Sequence, residues 1–166
     1  MKYIELSDIS KNSKGVYGIG ASSCPYSPSF PQYLRISDIS DNGFIPYILP
    51  TSINTMQYPD YKKYYLSKND IVFARTGNST GRNYFYDGEE NKVVYAGFLI
   101  KFSLLDSLII PQYVKYYCQS EDYKKQISSM CTGSTRNNIN AEQYAKLKIP
   151  IKQRDLQQHI VNSKLC

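Results

Sequence analysis

The chain has 166 residues, 42% hydrophobic and 20% charged, the size and balance of one globular domain with a core of its own. No apolar run approaches the roughly 18 residues of a membrane span, and Met1-Lys2-Tyr3-Ile4-Glu5-Leu6 turns polar too soon for a secretory signal, so a cytoplasmic location is expected. The net charge of +6 favours an anionic partner, while four cysteines without C-x-x-C spacing and a single histidine, His159, leave a zinc site short of ligands.

In chain order, Tyr3-Ile4-Glu5-Leu6 reads as a short strand followed by a turn. Residues 10–32 carry Gly15, Gly18 and Gly20, then Pro25, Pro28 and Pro31, which predicts a long surface loop rather than a helix. The glycine order G-x-x-G-x-G, with prolines where a phosphate-binding helix should begin, does not match a dinucleotide fingerprint. A strand is expected at 33–36, a turn at Asp41-Asn42-Gly43, and loop-like chain past Pro46, Pro50 and Pro59. Residues 58–65 interleave tyrosines with Lys62 and Lys63. They suit either a stacking patch on nucleic acid or rings packed on the edge of the core with their hydroxyls in water, and with 17 tyrosines in the chain the second is favoured.

The centre is β-rich, with strands expected at 71–75, 83–86, 93–95 and 98–102 and a tight turn at Asp87-Gly88. From Pro111 the period changes: Tyr113, Val114, Tyr117 and Cys118 share one helical face, with Pro111 in the first turn. Ser120 caps a second helix whose buried stripe is Tyr123, Ile127, Met130 and Cys131. Asn140 and Gln143 form a capping box for one further turn, residues 146–151 return as a strand, and 153–165 form a helix with Leu156, Ile160, Val161 and Leu165 on one side. The fold class is therefore mixed α/β, in the α+β sense: a largely antiparallel β-rich centre with C-terminal helices.

Two loops carry the polar chemistry. Arg75-Thr76-Gly77-Asn78-Ser79-Thr80-Gly81-Arg82-Asn83-Tyr84 follows a strand, and Thr132-Gly133-Ser134-Thr135-Arg136-Asn137-Asn138 repeats its Thr-Gly, Ser-Thr and Arg-Asn elements. No acid occurs between Ile71 and Tyr86, nor between Tyr123 and Ala141, and three of the five arginines lie in these windows. Glycines permit unusual backbone angles, short polar side chains offer donors and acceptors, and a guanidinium fork suits a phosphate or a guanine edge. Nucleic-acid contact is the reading this favours. Catalytic signatures are missing: there is no P-loop, G-x-S-x-G or H-E-x-x-H pattern. A loose acid pattern, Asp60 followed by Glu90-Asn91-Lys92, leaves a magnesium-dependent nuclease as one rival, and the tyrosine-rich surface leaves a protein or glycan interaction module as another.

The ordered series Asp70-Ile71-Val72-Phe73-Ala74-Arg75-Thr76-Gly77, Gly81, Thr132-Gly133-Ser134-Thr135-Arg136, Leu147-Lys148-Ile149-Pro150-Ile151 and Gln157-Gln158-His159-Ile160-Val161 resembles the target recognition domain of type I restriction-modification specificity subunits. The resemblance implies a non-catalytic domain, without cofactor, that reads one half of a bipartite double-stranded DNA site. It also implies methyltransferase and restriction subunits as partners, possible pairing with a second half-subunit, a recognition domain over residues 1–151, and the start of a spacer helix over 152–166. On that reading Lys14, Lys62, Lys63 and Lys124 neutralise phosphates. Arg82 and Arg136 face guanine, Asn83, Asn137 and Asn138 face adenine, and Ser79 and Thr80 face either. Tyr17, Tyr84, Ser134 and Thr135 complete the candidate surface, whereas Arg75 and Thr76 belong to the scaffold beneath it.

Overall fold

The computed structural model describes residues 2–131 and 136–165. Its strands are β1 (Tyr3–Glu5), β2 (Val16–Tyr17), β3 (Cys24–Pro25), β4 (Gln32–Leu34), β5 (Thr51–Ser52), β6 (Asp70–Ala74), β7 (Asn83–Tyr86), β8 (Val93–Tyr95) and β9 (Leu99–Ser103). Helices α1 (Pro111–Tyr117), α2 (Glu121–Met130) and α3 (Ala141–Ala145) follow, then β10 (Lys148–Pro150) and α4 (Arg154–Lys164).

The continuous apolar run of β6 has a simple cause: the strand is buried on both faces. It is a central strand of an antiparallel sheet of order β2-β9-β6-β7, with Ile71 opposite both Phe102 and Phe85. Side chains alternate across a strand, so Ile71 and Phe73 join Phe85, Ile100 and Phe102 in the core beneath the helices. Val72 and Ala74 face the other way, against Leu34, Leu49, Val93 and Tyr95 of the second layer. That layer is a sheet of order β3-β5-β4-β8, antiparallel except where β4 runs parallel to β8.

The glycine- and proline-rich region 10–32 is not featureless. It supplies β2 to one sheet and β3 to the other, each only two residues long, too short for a period-2 pattern to register in the sequence. The tyrosines of 58–65 pack as the bland reading expects: Tyr58, Tyr61, Tyr64 and Tyr65 lie against a third cluster of Ile19, Tyr33, Ile53, Val94 and Ala96.

The helices begin where the residues dictate. Pro111 occupies the first turn of α1, Ser120 Oγ accepts the Tyr123 N–H at the start of α2, and Asn140 and Gln143 form a reciprocal capping box on α3. β1 pairs antiparallel with β10, Ile4 opposite Ile149. Helix α4 departs from its expected stripe. Val161 and Gln157 are buried and Ile160 packs on the main core, but Leu156 and Leu165 are 44% and 73% exposed, because they mark the two edges of the stripe and only its middle meets the core. Gln157 holds that contact: its Oε1 accepts the Ile110 N–H at 2.9 Å and its amide donates to Lys152 O at 2.9 Å. Among the described residues no helix is long and apolar enough to cross a membrane.

Truncating Gln157 to alanine strands the buried Ile110 N–H, so Gln157→Ala is expected to cost about 1–3 kcal/mol in urea-induced unfolding. A loss below about 0.5 kcal/mol would show that α4 is not anchored through this side chain.

Candidate nucleic-acid interface

The first polar loop leaves β6 and returns into β7 across a neck of three hydrogen bonds: Ala74 N to Arg82 O at 2.8 Å, Gly81 N to Ala74 O at 3.1 Å, and Arg82 N to Ser79 O at 2.9 Å. Two tyrosines clamp the neck from below. The Tyr144 hydroxyl donates to Ala74 O at 2.6 Å and accepts from Gly81 N at 3.1 Å, while the Tyr123 hydroxyl donates to Gly81 O at 2.6 Å. Tyr144 stacks on Phe73 with ring centroids 4.7 Å apart, so β6 positions its own clamp. Burial pushes both phenols well above their usual pKa, which keeps them protonated as donors. Gly81 sits at φ +96, and a Cβ there would come within 2.7 Å of Ile127 Cγ2. Gly77, at φ +72, closes the short turn Gly77–Ser79.

The second loop is joined to the first by backbone. Gly77 N donates to Asn137 O at 3.1 Å, Ile139 N donates to Arg75 O at 2.9 Å, and Thr76 pairs with Asn138 as an antiparallel bridge. Ile139 anchors this segment as a fully buried side chain. Between the loops lies a cleft of about 490 Å³ lined by Thr76, Gly77, Asn78, Arg136 and Asn137. The likeness of the two loops in sequence therefore corresponds to contact in space. Arg136, Asn137 and Asn138 are exposed; Ser134 and Thr135 lie outside the described residues.

On its other flank the first loop borders a cleft of about 410 Å³ that takes in Asp41, Asn42, Asn78, Thr80, Arg82, Gln119 and Lys124. Arg82 Nε donates to Asp41 Oδ1 at 2.7 Å and its NH1 group to Ile39 O at 3.3 Å. Asp41 is thus an acid brought to an arginine that stands in an acid-free stretch of sequence, from 41 residues away. Lys124 is exposed but paired with Glu121 at 3.2 Å, an i,i+3 contact that screens part of its charge.

Asn83 corrects the expectation placed on it. It is 4% exposed, its Nδ2 donates to Gly81 O and Cys118 O, and its Oδ1 accepts from Gln119 Nε2. Both ends of the amide are thus engaged inside the fold, where they build the loop instead of facing a base. Tyr84 is partly buried against the second core cluster. Ser79 and Thr80 are partly exposed, and the Thr80 hydroxyl donates to Gly77 O at 2.7 Å.

Arg75 and Tyr17 form a link the sequence did not display. The Arg75 guanidinium lies over the Tyr17 ring at 5.1 Å and the Phe98 ring at 5.6 Å, within the range of cation–π attraction, and its buried Nε has no hydrogen-bond partner. The Tyr17 hydroxyl accepts the Ala141 N–H at 2.9 Å. Tyr17 and the exposed Lys14 then line a third cleft of about 660 Å³ with Asn140, Ala141 and Lys146 among others. Lys62 and Lys63 are exposed on the short helix Tyr61–Tyr64 and border none of these three clefts. Asp60 and Glu90 are exposed, and among the described residues no three His, Cys, Asp or Glu side chains gather as a metal-holding group.

A family model described as the type I restriction modification DNA specificity domain matches residues 31–163. No curated protein matches the sequence. Among solved structures, one concerned with complex assembly and conformational transition of the type I R-M system superposes with a TM-score of 0.72 at 12% identity, covering 99% of this chain and 41% of that one. The HsdS subunit from Thermoanaerobacter tengcongensis gives 0.67 at 14% identity, over 98% and 40%. The type I restriction-modification S subunit from M. genitalium gives 0.65 at 16%, over 98% and 37%. The chain thus spans about two-fifths of the length of each.

Gly81→Ala forces both a strained backbone and a clash, and is expected to destabilise the fold by about 2–4 kcal/mol. Because part of that cost is the contact with Ile127 Cγ2, a double-mutant cycle with Ile127→Ala, which removes that methyl, should show a coupling of at least about 0.5 kcal/mol; strict additivity would place the strain elsewhere.

Proposed function

From the premise that this chain belongs to the family of type I restriction modification DNA specificity domains, we propose that it is a target recognition domain that reads one half of a bipartite site in double-stranded DNA. It performs no chemistry itself, and it positions methyltransferase and restriction subunits as partners in the cytoplasm. The observation that carries this reading is the fusion of two polar loops into one ledge by the bonds from Gly77 to Asn137 and from Ile139 to Arg75. The ledge presents Ser79, Thr80, Arg82, Arg136, Asn137 and Asn138 on a chain of net charge +6.

In this proposal specificity comes from the ledge. A guanidinium can take the O6 and N7 of guanine, and an exposed amide can take the N6 and N7 of adenine. Affinity comes from lysines around it, among them Lys14 beside Tyr17, Lys62, Lys63 and Lys124, whose contacts with phosphate carry no sequence information. Residues 1–151 form the recognition domain, and 152–166 begin a spacer helix whose outward Leu156 and Leu165 are open to a partner or to a second half-subunit.

Selection from a randomised duplex pool at two salt concentrations, with and without magnesium, tests the reading. A recovered motif, intact DNA and affinity that falls with salt are expected; cleavage, or no binding even at low salt, would sink it. Within such a motif Arg82→Ala should relax one base pair by about 1–3 kcal/mol, whereas Lys14→Ala should weaken all sequences alike. Uniform losses for both variants would reverse the assignment of roles.

A further inference from the structure

Asp41 is an acid where a DNA-binding surface gains least from one. Its side chain is 83% exposed, against 30% for its partner Arg82, and it borders the same cleft as Thr80 and Lys124. An exposed carboxylate there repels every phosphate, so it lowers affinity for all sequences. A surface that keeps such a group can gain discrimination from it, because what repels a wrong partner adds to the difference between right and wrong.

The geometry shows what that discrimination could be. A guanidinium has five N–H donors in a fixed plane. Arg82 gives one, from Nε, to Asp41 Oδ1 at 2.7 Å and another, from NH1, to Ile39 O at 3.3 Å. The fork is thereby fixed in direction with three donors left over, and Asp41 keeps a second carboxylate oxygen on a largely exposed side chain. Donors and an acceptor set side by side in this way match the major-groove edge of a G·C pair, where guanine offers O6 and N7 as acceptors and cytosine offers the N4 amino group as donor. The turn holds Asp41 in place independently of DNA: Gly43 N donates to Ser40 O at 3.1 Å and Ser40 N to Phe44 O at 2.9 Å, while Phe44 N donates to Ser40 Oγ at 3.0 Å.

We propose that Asp41 is a specificity-determining residue that acts as one reading unit with Arg82: Arg82 donates to guanine, and Asp41 both aims Arg82 and accepts from the N4 of the cytosine in the same or the neighbouring pair. The proposal rests on the DNA reading above. Its second half is electrostatic. Paired with Asp41, Arg82 adds no net charge to the surface and so contributes little to sequence-independent binding. Removing the carboxylate unmasks a cation that can settle on any phosphate.

The test compares the chain with Asp41→Asn, Asp41→Glu and Arg82→Ala in selection from a randomised duplex pool, followed by binding to the selected and to a random duplex across a salt series. Thermal unfolding of each variant accompanies the binding data. Asp41→Asn should lose about tenfold in preference at one base pair or its neighbour, bind random duplex more tightly, and steepen the log K against log salt slope by about 0.9. Arg82→Ala should relax the same position. Asp41→Glu, which keeps the charge but lengthens the arm, should preserve the shallow slope while altering preference at that position. A motif unchanged by Asp41→Asn, or selectivity lost evenly at all positions, overturns the pairing while leaving the DNA reading intact. If the parent chain itself enriches no motif, the DNA reading falls, and the pairing with it.

Discussion

Two phenol hydroxyls, those of Tyr123 and Tyr144, hold the neck of the first loop, and the shape of the polar ledge depends on them. Each reaches a backbone group at 2.6 Å from within a core shared with Phe73. A loop exposed to water ordinarily samples many conformations, and fixing it costs backbone entropy of about 1–2 kcal/mol per residue. Here the cost is offset from beneath, by donors already immobilised by helix packing. The helices thus set the geometry of a surface to which α2 also contributes one wall.

The coupling between loops follows the same logic. Backbone bonds from Gly77 to Asn137 and from Ile139 to Arg75 make one surface out of segments about sixty residues apart, and the stack of Tyr17, Arg75 and Phe98 extends it to the third cleft. Arg75 is scaffold in this arrangement, as its place at the end of β6 implies. Its charge is held between two rings and its buried Nε stays without a hydrogen bond, so its part in holding the surface together is played by stacking and by its backbone.

Much of the architecture was legible before any coordinates. The runs at β6, β7 and β8, the proline at the start of α1, the Ser120 cap and the Asn140–Gln143 box are local signals, each decided by residues within four positions of one another. The rest depends on long-range pairing that no short window records. β2 and β3 exist only because β9 and β5 lie beside them, and Asp41 meets Arg82 only through the packing of the two layers. Asn83 shows the same limit. Its amide is as suited to adenine as that of Asn137, and only the surrounding Gly81, Cys118 and Gln119 turn it inward. The stripe of α4 is centred where periodicity puts it but is narrower: the polar Gln157 takes its middle beside Ile160 and Val161, and Leu156 and Leu165 at its edges stay exposed.

The bonds that join the two loops also bear on how such a surface can change over evolutionary time. Apart from the long Thr80 Oγ1 to Asn137 O contact, they run between main-chain atoms, which every residue other than proline can supply, and the clamps come from tyrosines outside the loops. Side chains at 78, 79, 137 and 138 can therefore be replaced with little penalty to the frame that displays them, whereas the Thr80 hydroxyl, bonded to Gly77 O and Asn137 O, belongs to that frame. A lineage under pressure to alter what it recognises would find its cheapest substitutions there, while Gly81, Tyr123 and Tyr144 stay fixed. Diversification and stability are thereby assigned to different residues, and a new preference need not wait for a compensating repair of the fold.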